Sequence, residues 1–340
     1  MTFWRSRQGA GIALILLAAL IFASMDTTTK YVTRVIPVLM LLWFRYVFQV
    51  LSTLAVRYPL QKAELFRTRN LRFQLLRGGL LLITTGCSFF GLQHLPVGEF
   101  TAMMMLSPLV ATAMSAWFLK THVARLRWWL MAGGLLGVLL VVRPGGQLFG
   151  WALVFPVGLV TSYAWFQVLT SRMSGEENPY TTHLYTGLVG SLVMSLVLVL
   201  TGWKPELLLT YWHWFLLVGC LGTFGHLMLI RAYMCASAPV LTPYLYSQIG
   251  FAMLGGWLVF AHVPDLWAWA GMVTIAASGV GNTLLTMAEV STRTGTKPSY
   301  RLEMGLGNKG ELAALPRIHA AGNVQGLHKP QIPQDEARLG

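Results

Sequence analysis

Ten apolar stretches set the terms for anything this chain can fold into. They fall at about residues 9–28, 37–57, 71–94, 97–119, 126–142, 148–170, 180–201, 211–233, 239–261 and 265–288. At 1.5 Å of rise per residue, each is long enough, with some tilt, to cross a hydrocarbon core of about 30 Å. In such a core every backbone amide and carbonyl must be paired within the protein, so the expected fold is an all-α membrane protein with ten transmembrane helices. The connections are short and carry Pro, Gly and charge: Pro59 with Lys62–Arg69, Pro96, Pro144–Gly146, Glu176–Pro179, Lys204–Pro205, Pro239 and Pro264–Asp265. They join the spans as hairpins and leave no loop large enough for a soluble domain. The first run follows Arg5 and Arg7, as the apolar region of a signal peptide would. It is long, however, and no clear small-x-small cleavage site follows, so it is read as a retained first helix.

Charge sharpens this picture. Of the 340 residues 55% are hydrophobic and 11% charged, against about a quarter charged in a soluble domain. A soluble enzyme and a disordered protein are both excluded. A disulfide scaffold is excluded too, since Cys87, Cys220 and Cys235 sit in or beside apolar runs. The net charge of +13 comes without any basic, aromatic-interleaved stripe, so no nucleic-acid partner is expected. It reads instead as the positive-inside bias of a multispanning protein. With a cytoplasmic N-terminus, 13 Lys and Arg fall on inside segments and 4 on outside segments (Lys30, Arg34, Arg143 and Lys204). Both termini are then cytoplasmic, in what is expected to be a bacterial inner (plasma) membrane. Residues 289–340 hold 7 of the 25 basic and 5 of the 12 acidic residues and have lost the apolar clusters. Such a segment cannot offset its chain entropy by burial and is expected to be a disordered cytoplasmic tail.

Two stretches resemble each other at a spacing of about 141–143 residues. Leu95-Pro96-Val97 through Trp117-Phe118-Leu119, then Arg127-Trp128-Trp129-Leu130-Met131, parallels Ala238-Pro239-Val240 through Leu258-Val259-Phe260, then Ala268-Trp269-Ala270-Gly271-Met272. Trp128 falls on Trp269 and Met131 on Met272. Two halves with an odd number of spans enter the membrane in opposite senses, which is the architecture of secondary transporters, with the substrate site between the halves near the midplane. The expected organisation is residues 1–145 and 146–288 as two inverted five-helix repeats, followed by the tail.

The residues also resemble a known family, the EamA-type drug/metabolite transporters, over about residues 9–288. The first half contributes Ser24-Met25-Asp26 with Lys30, Phe44-Arg45, Leu95-Pro96-Val97-Gly98-Glu99-Phe100-Thr101-Ala102, Ser107-Pro108-Leu109 and Gly137-Val138-Leu139-Leu140-Val141-Val142-Arg143-Pro144. The second contributes Gly225-His226-Leu227-Met228-Leu229-Ile230-Arg231-Ala232-Tyr233, Ala238-Pro239, Pro243-Tyr244, Tyr246-Ser247-Gln248, Val263-Pro264-Asp265 and Ser278-Gly279. The resemblance implies two inverted five-helix repeats, cytoplasmic ends, and movement of small polar or amphiphilic metabolites. The order of motifs is similar to the branch that includes S-adenosylmethionine uptake carriers. One departure stands out. The family often has Gly-Glu where each repeat's fourth helix turns into its fifth, and here those positions read Lys120-Thr121 and Ala261-His262.

A short set of polar residues inside the apolar runs is the candidate substrate-binding or coupling group. Arg45 lies about two turns into Leu41–Phe48, where a charge at the bilayer centre costs from ~3 to over 10 kcal/mol, so it should face the bundle interior with a partner. Glu99 is the expected partner and Asp26 the second; a structural ion pair serves as well as a functional one. Glu99 in a partly dry cavity is also a candidate coupling residue. His226, mid-span, is a candidate to exchange protons near neutral pH as imidazoles do, although a packed, hydrogen-bonded role fits it too. Tyr244 and Gln248 are four apart and share a helical face that would suit a midplane pocket, whereas Tyr246 points elsewhere. Tyr163, with Trp165 and Gln167, adds polar aromatic surface, and interhelical hydrogen bonding is its alternative use. Arg77 and Arg231 read as anchors or gate charges. Gly133-x-x-x-Gly137 and Ala277-x-x-x-Gly281 mark helix-packing or homodimer faces. Trp128, Trp129, Trp212, Trp214, Trp267 and Trp269 lie at span ends, as an aromatic belt requires.

No phosphate-binding loop, His-Glu-x-x-His or Cys-x-x-Cys occurs, and no histidines have ligand spacing, so no cofactor, metal or enzymatic activity is expected. Acidic rings or a filter loop of a channel are missing as well. A secondary carrier working by alternating access on a small-molecule substrate in the lipid bilayer accounts for the repeat and the sparse intramembrane charge together. An integral membrane enzyme or a non-transporting membrane scaffold is the alternative.

Overall fold

The computed structural model describes residues 2–118, 124–143, 148, 150–173, 177–236 and 238–294. Among these the regular structure is entirely helical. The first six helices are α1 (Thr2–Val32), α2 (Val38–Gln61), α3 (Leu71–His94), α4 (Val97–Met104), α5 (Ser107–Phe118) and α6 (Arg125–Val142). Seven follow: α7 (Val154–Met173), α8 (Pro179–Thr201), α9 (Pro205–Thr210), α10 (Trp212–Cys235), α11 (Ala238–Leu245), α12 (Ser247–Phe260) and α13 (Leu266–Thr294). Helix α13 runs past the boundary expected at 288. Nearly all of the expected tail, together with Lys120 and Thr121, lies outside the described residues.

Nine stretches among the described residues are long and apolar enough to cross a membrane. The run at 239–261 is not one of them; it is delivered as two shorter helices, α11 and α12, that part at Tyr246. Pro243 lies inside α11 and removes an amide donor from the ladder. The run at 97–119 is likewise divided, between α4 and α5. There Pro108 lacks an N–H, and Ser107 Oγ donates to the Met104 carbonyl at 2.5 Å. Leu109 N–H goes to Leu106 O rather than to Met105 O. The Tyr246 hydroxyl donates to the Met105 carbonyl at 3.3 Å, so the two breaks lie against each other and one supplies what the other lacks.

The remaining ends are handled by local chemistry. Pro37 and Pro96 precede α2 and α4. Asn178 caps α8 by accepting from Tyr180 N–H at 2.9 Å. Lys30 Nζ donates to Leu92 O and Leu95 O, both at 2.8 Å, placing a cation on the carbonyl end of α3.

The main helix contacts are α1 with α10 and α12, α2 with α8 and α10, α3 with α7 and α8, α4 with α12, α5 with α7, and α6 with α13. The small-residue stripes serve the last of these. A Cβ at Gly137 would meet the Gly271 carbonyl and Ile275 at 2.8 Å, and one at Gly133 would meet Ser278 Oγ at 2.8 Å. The faces read as packing or dimer surfaces are thus occupied within one chain. Leu135, Leu136, Leu139, Leu192, Leu196, Val199 and Leu200 point outward, as side chains in lipid can. Trp128, Trp129, Trp212, Trp267 and Trp269 are exposed at span ends.

Candidate functional site

Polar side chains gather in the interior where α1, α2, α3, α8, α10 and α12 meet. Arg45, on α2, is buried; its Nη1 donates to Thr85 Oγ1 at 3.4 Å, and its guanidinium lies 5.2 Å from the Tyr46 ring centre. Thr85, on α3, also accepts from the Tyr46 hydroxyl at 2.9 Å. One turn along α2, Gln49 donates to the His183 carbonyl of α8 at 3.0 Å. His226, on α10, donates through Nδ1 to Gly222 O at 2.8 Å. The His183 and His226 rings are 6.1 Å apart. Arg45, Gln49, His183, Gly219, Gly222, Thr223 and His226 line a cavity of about 10 Å³, roughly one water molecule's worth. A larger groove of about 480 Å³, lined by Leu136, Leu139, Leu140, Arg143 and Trp267, is almost wholly apolar. None of the interior polar groups reaches it.

Asp26 of α1 is also buried and accepts from Gln248 Nε2 of α12 at 3.3 Å. Beyond the histidines, Arg77 of α3 donates to Thr170 Oγ1 and Thr186 Oγ1, each at 2.7 Å, and stands 4.3 Å over the Phe166 ring. Tyr163 stacks on Phe166 at 5.6 Å. Arg45, Asp26, Gln248, His226 and Tyr163 therefore all lie within the bundle.

Two expectations change. Glu99 is not Arg45's partner. Buried at the start of α4, it pairs with His262, whose Nε2 lies 2.7 Å from Glu99 Oε1. His262 follows α12, beyond Ala261, whose positive φ of 52° ends that helix. The second correction concerns Tyr244, which is 39% exposed while Gln248 is 4% exposed. A shared face at i and i+4 requires a continuous helix, and the break at Tyr246 rotates one segment relative to the other. Tyr246 is the one that turns inward.

The sequence profile of the EamA-like transporter family matches residues 9–143 and again 150–283. The chain belongs to this family. Among its relatives is a riboflavin transporter of Vibrio cholerae, 26% identical over 280 residues, covering 81% of this chain and 90% of the relative. A pseudopaline exporter of Pseudomonas aeruginosa is 26% identical over 272 residues, covering 79% and 94%. An S-adenosylmethionine uptake transporter of Rickettsia bellii is 23% identical over 267 residues, covering 78% and 90%. A crystal structure 16% identical to this chain matches 84% of it and 99% of its own length with a TM-score of 0.55, a likeness of fold alone.

In this EamA-family chain, sequence reasoning missed Gln49, His183 and His262 as interior or paired groups. Gln49 sits in an apolar run four residues from Arg45 and His183 three residues from Thr186, a weak signal that helix orientation alone converts into a site. His262 stands at the position where the family pattern has Glu, and that departure was the signal available.

Proposed function

We propose that the chain is a secondary transporter of a small polar or amphiphilic metabolite, working by alternating access around the Asp26–Arg45–His226 interior. The observation that carries this reading is the polar interior itself: hydrogen-bonding and charged side chains from both halves of an EamA-family chain converge on one small cavity inside an otherwise apolar bundle. Polar groups at that depth are costly and are kept where a solute passes.

The halves are proposed to be inverted five-helix repeats of ten spans, with α4–α5 and α11–α12 as the broken fourth span of each. Several observations support this. The family profile matches first from residue 9 and again from residue 150, a separation of 141 residues. Tyr246 and Met105, which join the two breaks, are separated by the same 141 residues. Several helix contacts keep their pattern when the halves are exchanged: α1–α10 becomes α7–α3, α1–α12 becomes α7–α5, and α2–α10 becomes α8–α3, while α2–α8 and α6–α13 map onto themselves. Trp128 and Trp269 are both about half exposed, and Met131 and Met272 are both buried. We place both termini in the cytoplasm and the protein in a bacterial inner membrane, following the Lys and Arg distribution.

Purified protein in proteoliposomes, screened against a metabolite panel with and without a pH gradient, tests the reading. A solute should accumulate in protein-containing vesicles, and Arg45→Ala at equal abundance should cut the initial rate at least tenfold. Unchanged transport by that variant would remove Arg45 from the site.

A further inference from the structure

The solute's chemistry can be read from the charges around the cavity, an inference that rests on the transport reading above. Two guanidiniums, Arg45 and Arg77, lie in the central interior with one carboxylate, Asp26, among the described residues. Among the described residues no ion pair joins a carboxylate to either guanidinium. Arg77 is satisfied by neutral partners, through three threonines and an aromatic face. Arg45 is not. It is 6% exposed, its Nε has no hydrogen-bond partner, and its contact with Thr85 is long at 3.4 Å. Asp26, the nearest candidate for neutralising it, is held by Gln248 on the side of α12.

The open edge of Arg45 points at α10. A Cβ built at Gly222 would stand 3.5 Å from Arg45 Nε, and both residues line the cavity. Gly222 thus leaves the guanidinium uncovered on the cavity side, where a bulkier residue would cover it. The remaining lining is neutral hydrogen-bonding surface from Gln49, Thr223 and the two histidines.

We propose that Arg45 is an anion-binding residue and that the transported solute carries a carboxylate which its guanidinium binds. A planar guanidinium with an unused N–H matches the two oxygens of a carboxylate. The two guanidiniums outnumber the single carboxylate of the central interior, so the site carries excess positive charge that an anionic group offsets. In the conformation described the cavity holds about one water, so the carboxylate enters when the bundle opens to one face.

Thermal unfolding of the purified full chain in detergent, at constant ionic strength, tests this with matched pairs: nicotinate and nicotinamide, succinate and succinamide, citrate and trimethyl citrate, with glycerol phosphate alongside. At least one free acid should raise the midpoint saturably by several degrees where its neutral counterpart does not, and Arg45→Gln should abolish that rise. The ligand-free Arg45→Gln protein should melt at or above the wild-type midpoint, because an unpaired buried charge has been removed. A lower midpoint that Asp26→Asn restores would mean a structural ion pair and would overturn the proposal. Stabilisation by no free acid, by the neutral members or glycerol phosphate instead, or equally in wild type and Arg45→Gln, would overturn it too. The transport reading fails separately: binding of an acid without uptake into proteoliposomes removes transport and keeps the anion site, whereas Arg45-independent uptake of an amide keeps transport and removes the anion site.

Discussion

Arg45 shows what a residue's place in a sequence can and cannot reveal. Its inward orientation follows from a charge in the middle of an apolar run, since lipid exposure there is too costly. Its surroundings do not follow, because which carboxylate lies near it depends on how α1, α4 and α12 are rotated about their axes. Glu99 therefore went to His262 and Asp26 to Gln248. Two glycines beside this α2 face separate packing from function. At Gly190 a Cβ would overlap the Tyr46 ring, so Gly190→Ala should cost about 1–3 kcal/mol and lower the detergent melting midpoint. At Gly222 a Cβ makes ordinary contact with Arg45 Nε, so Gly222→Ala should fold with an unchanged midpoint and still slow solute uptake severalfold. The Glu99–His262 pair has its own test. Glu99→Gln and His262→Gln should each reduce transport, and the double variant should lose little more than the worse single one, because the two act as a unit. Full additivity in that cycle would show that the two residues do not work together.

At the scale of helices, most of the architecture was legible. Apolar length gave the spans, and Pro and Gly gave the connections. The failure came at Tyr246: Pro243 announces an interruption, but where the ladder resumes depends on which side chains claim the freed carbonyls. The i, i+4 face joining Tyr244 to Gln248 was lost there. The start of α13 carries a cleaner signal. Asp265 Oδ1 accepts from Ala268 N–H at 2.9 Å, and its other oxygen meets Arg143 from the end of α6. The Ala268 amide and the Arg143 guanidinium hold this carboxyl below the usual aspartate range. A depressed pKa stabilises the fold above the unfolded value and the contribution is lost as pH falls through the folded one. Asp265→Asn should therefore lower the melting midpoint slightly at neutral pH, and the gap to wild type should close as pH drops below about 4, the ordinary aspartate value. A gap that persists at low pH would show that the carboxylate's charge is not what matters.

For the whole molecule, the charge distribution makes the orientation testable. In a chain with Cys87, Cys220 and Cys235 replaced by Ser, a cysteine introduced as Lys204→Cys should react with a membrane-impermeant maleimide on intact spheroplasts. One introduced as Lys62→Cys should react only after permeabilisation, and the reverse pattern would invert the proposed topology. The Tyr246–Met105 contact and the exchange of helix contacts between halves bear on energetics as well. On the proposed two-repeat arrangement, opening toward one face and opening toward the other are nearly the same structure with the halves' roles traded. Their free energies are then almost equal by construction, and whatever breaks the equivalence decides where the protein rests. Glu99 and His262 break it, because a shift of 141 residues carries them to Val240 and Thr121, which cannot make the same carboxylate–imidazole contact. One Glu99–His262 contact at a single end acts as a weight on a balance that is otherwise level. Its loss should leave the carrier able to open both ways and change the fraction of time it spends facing each side.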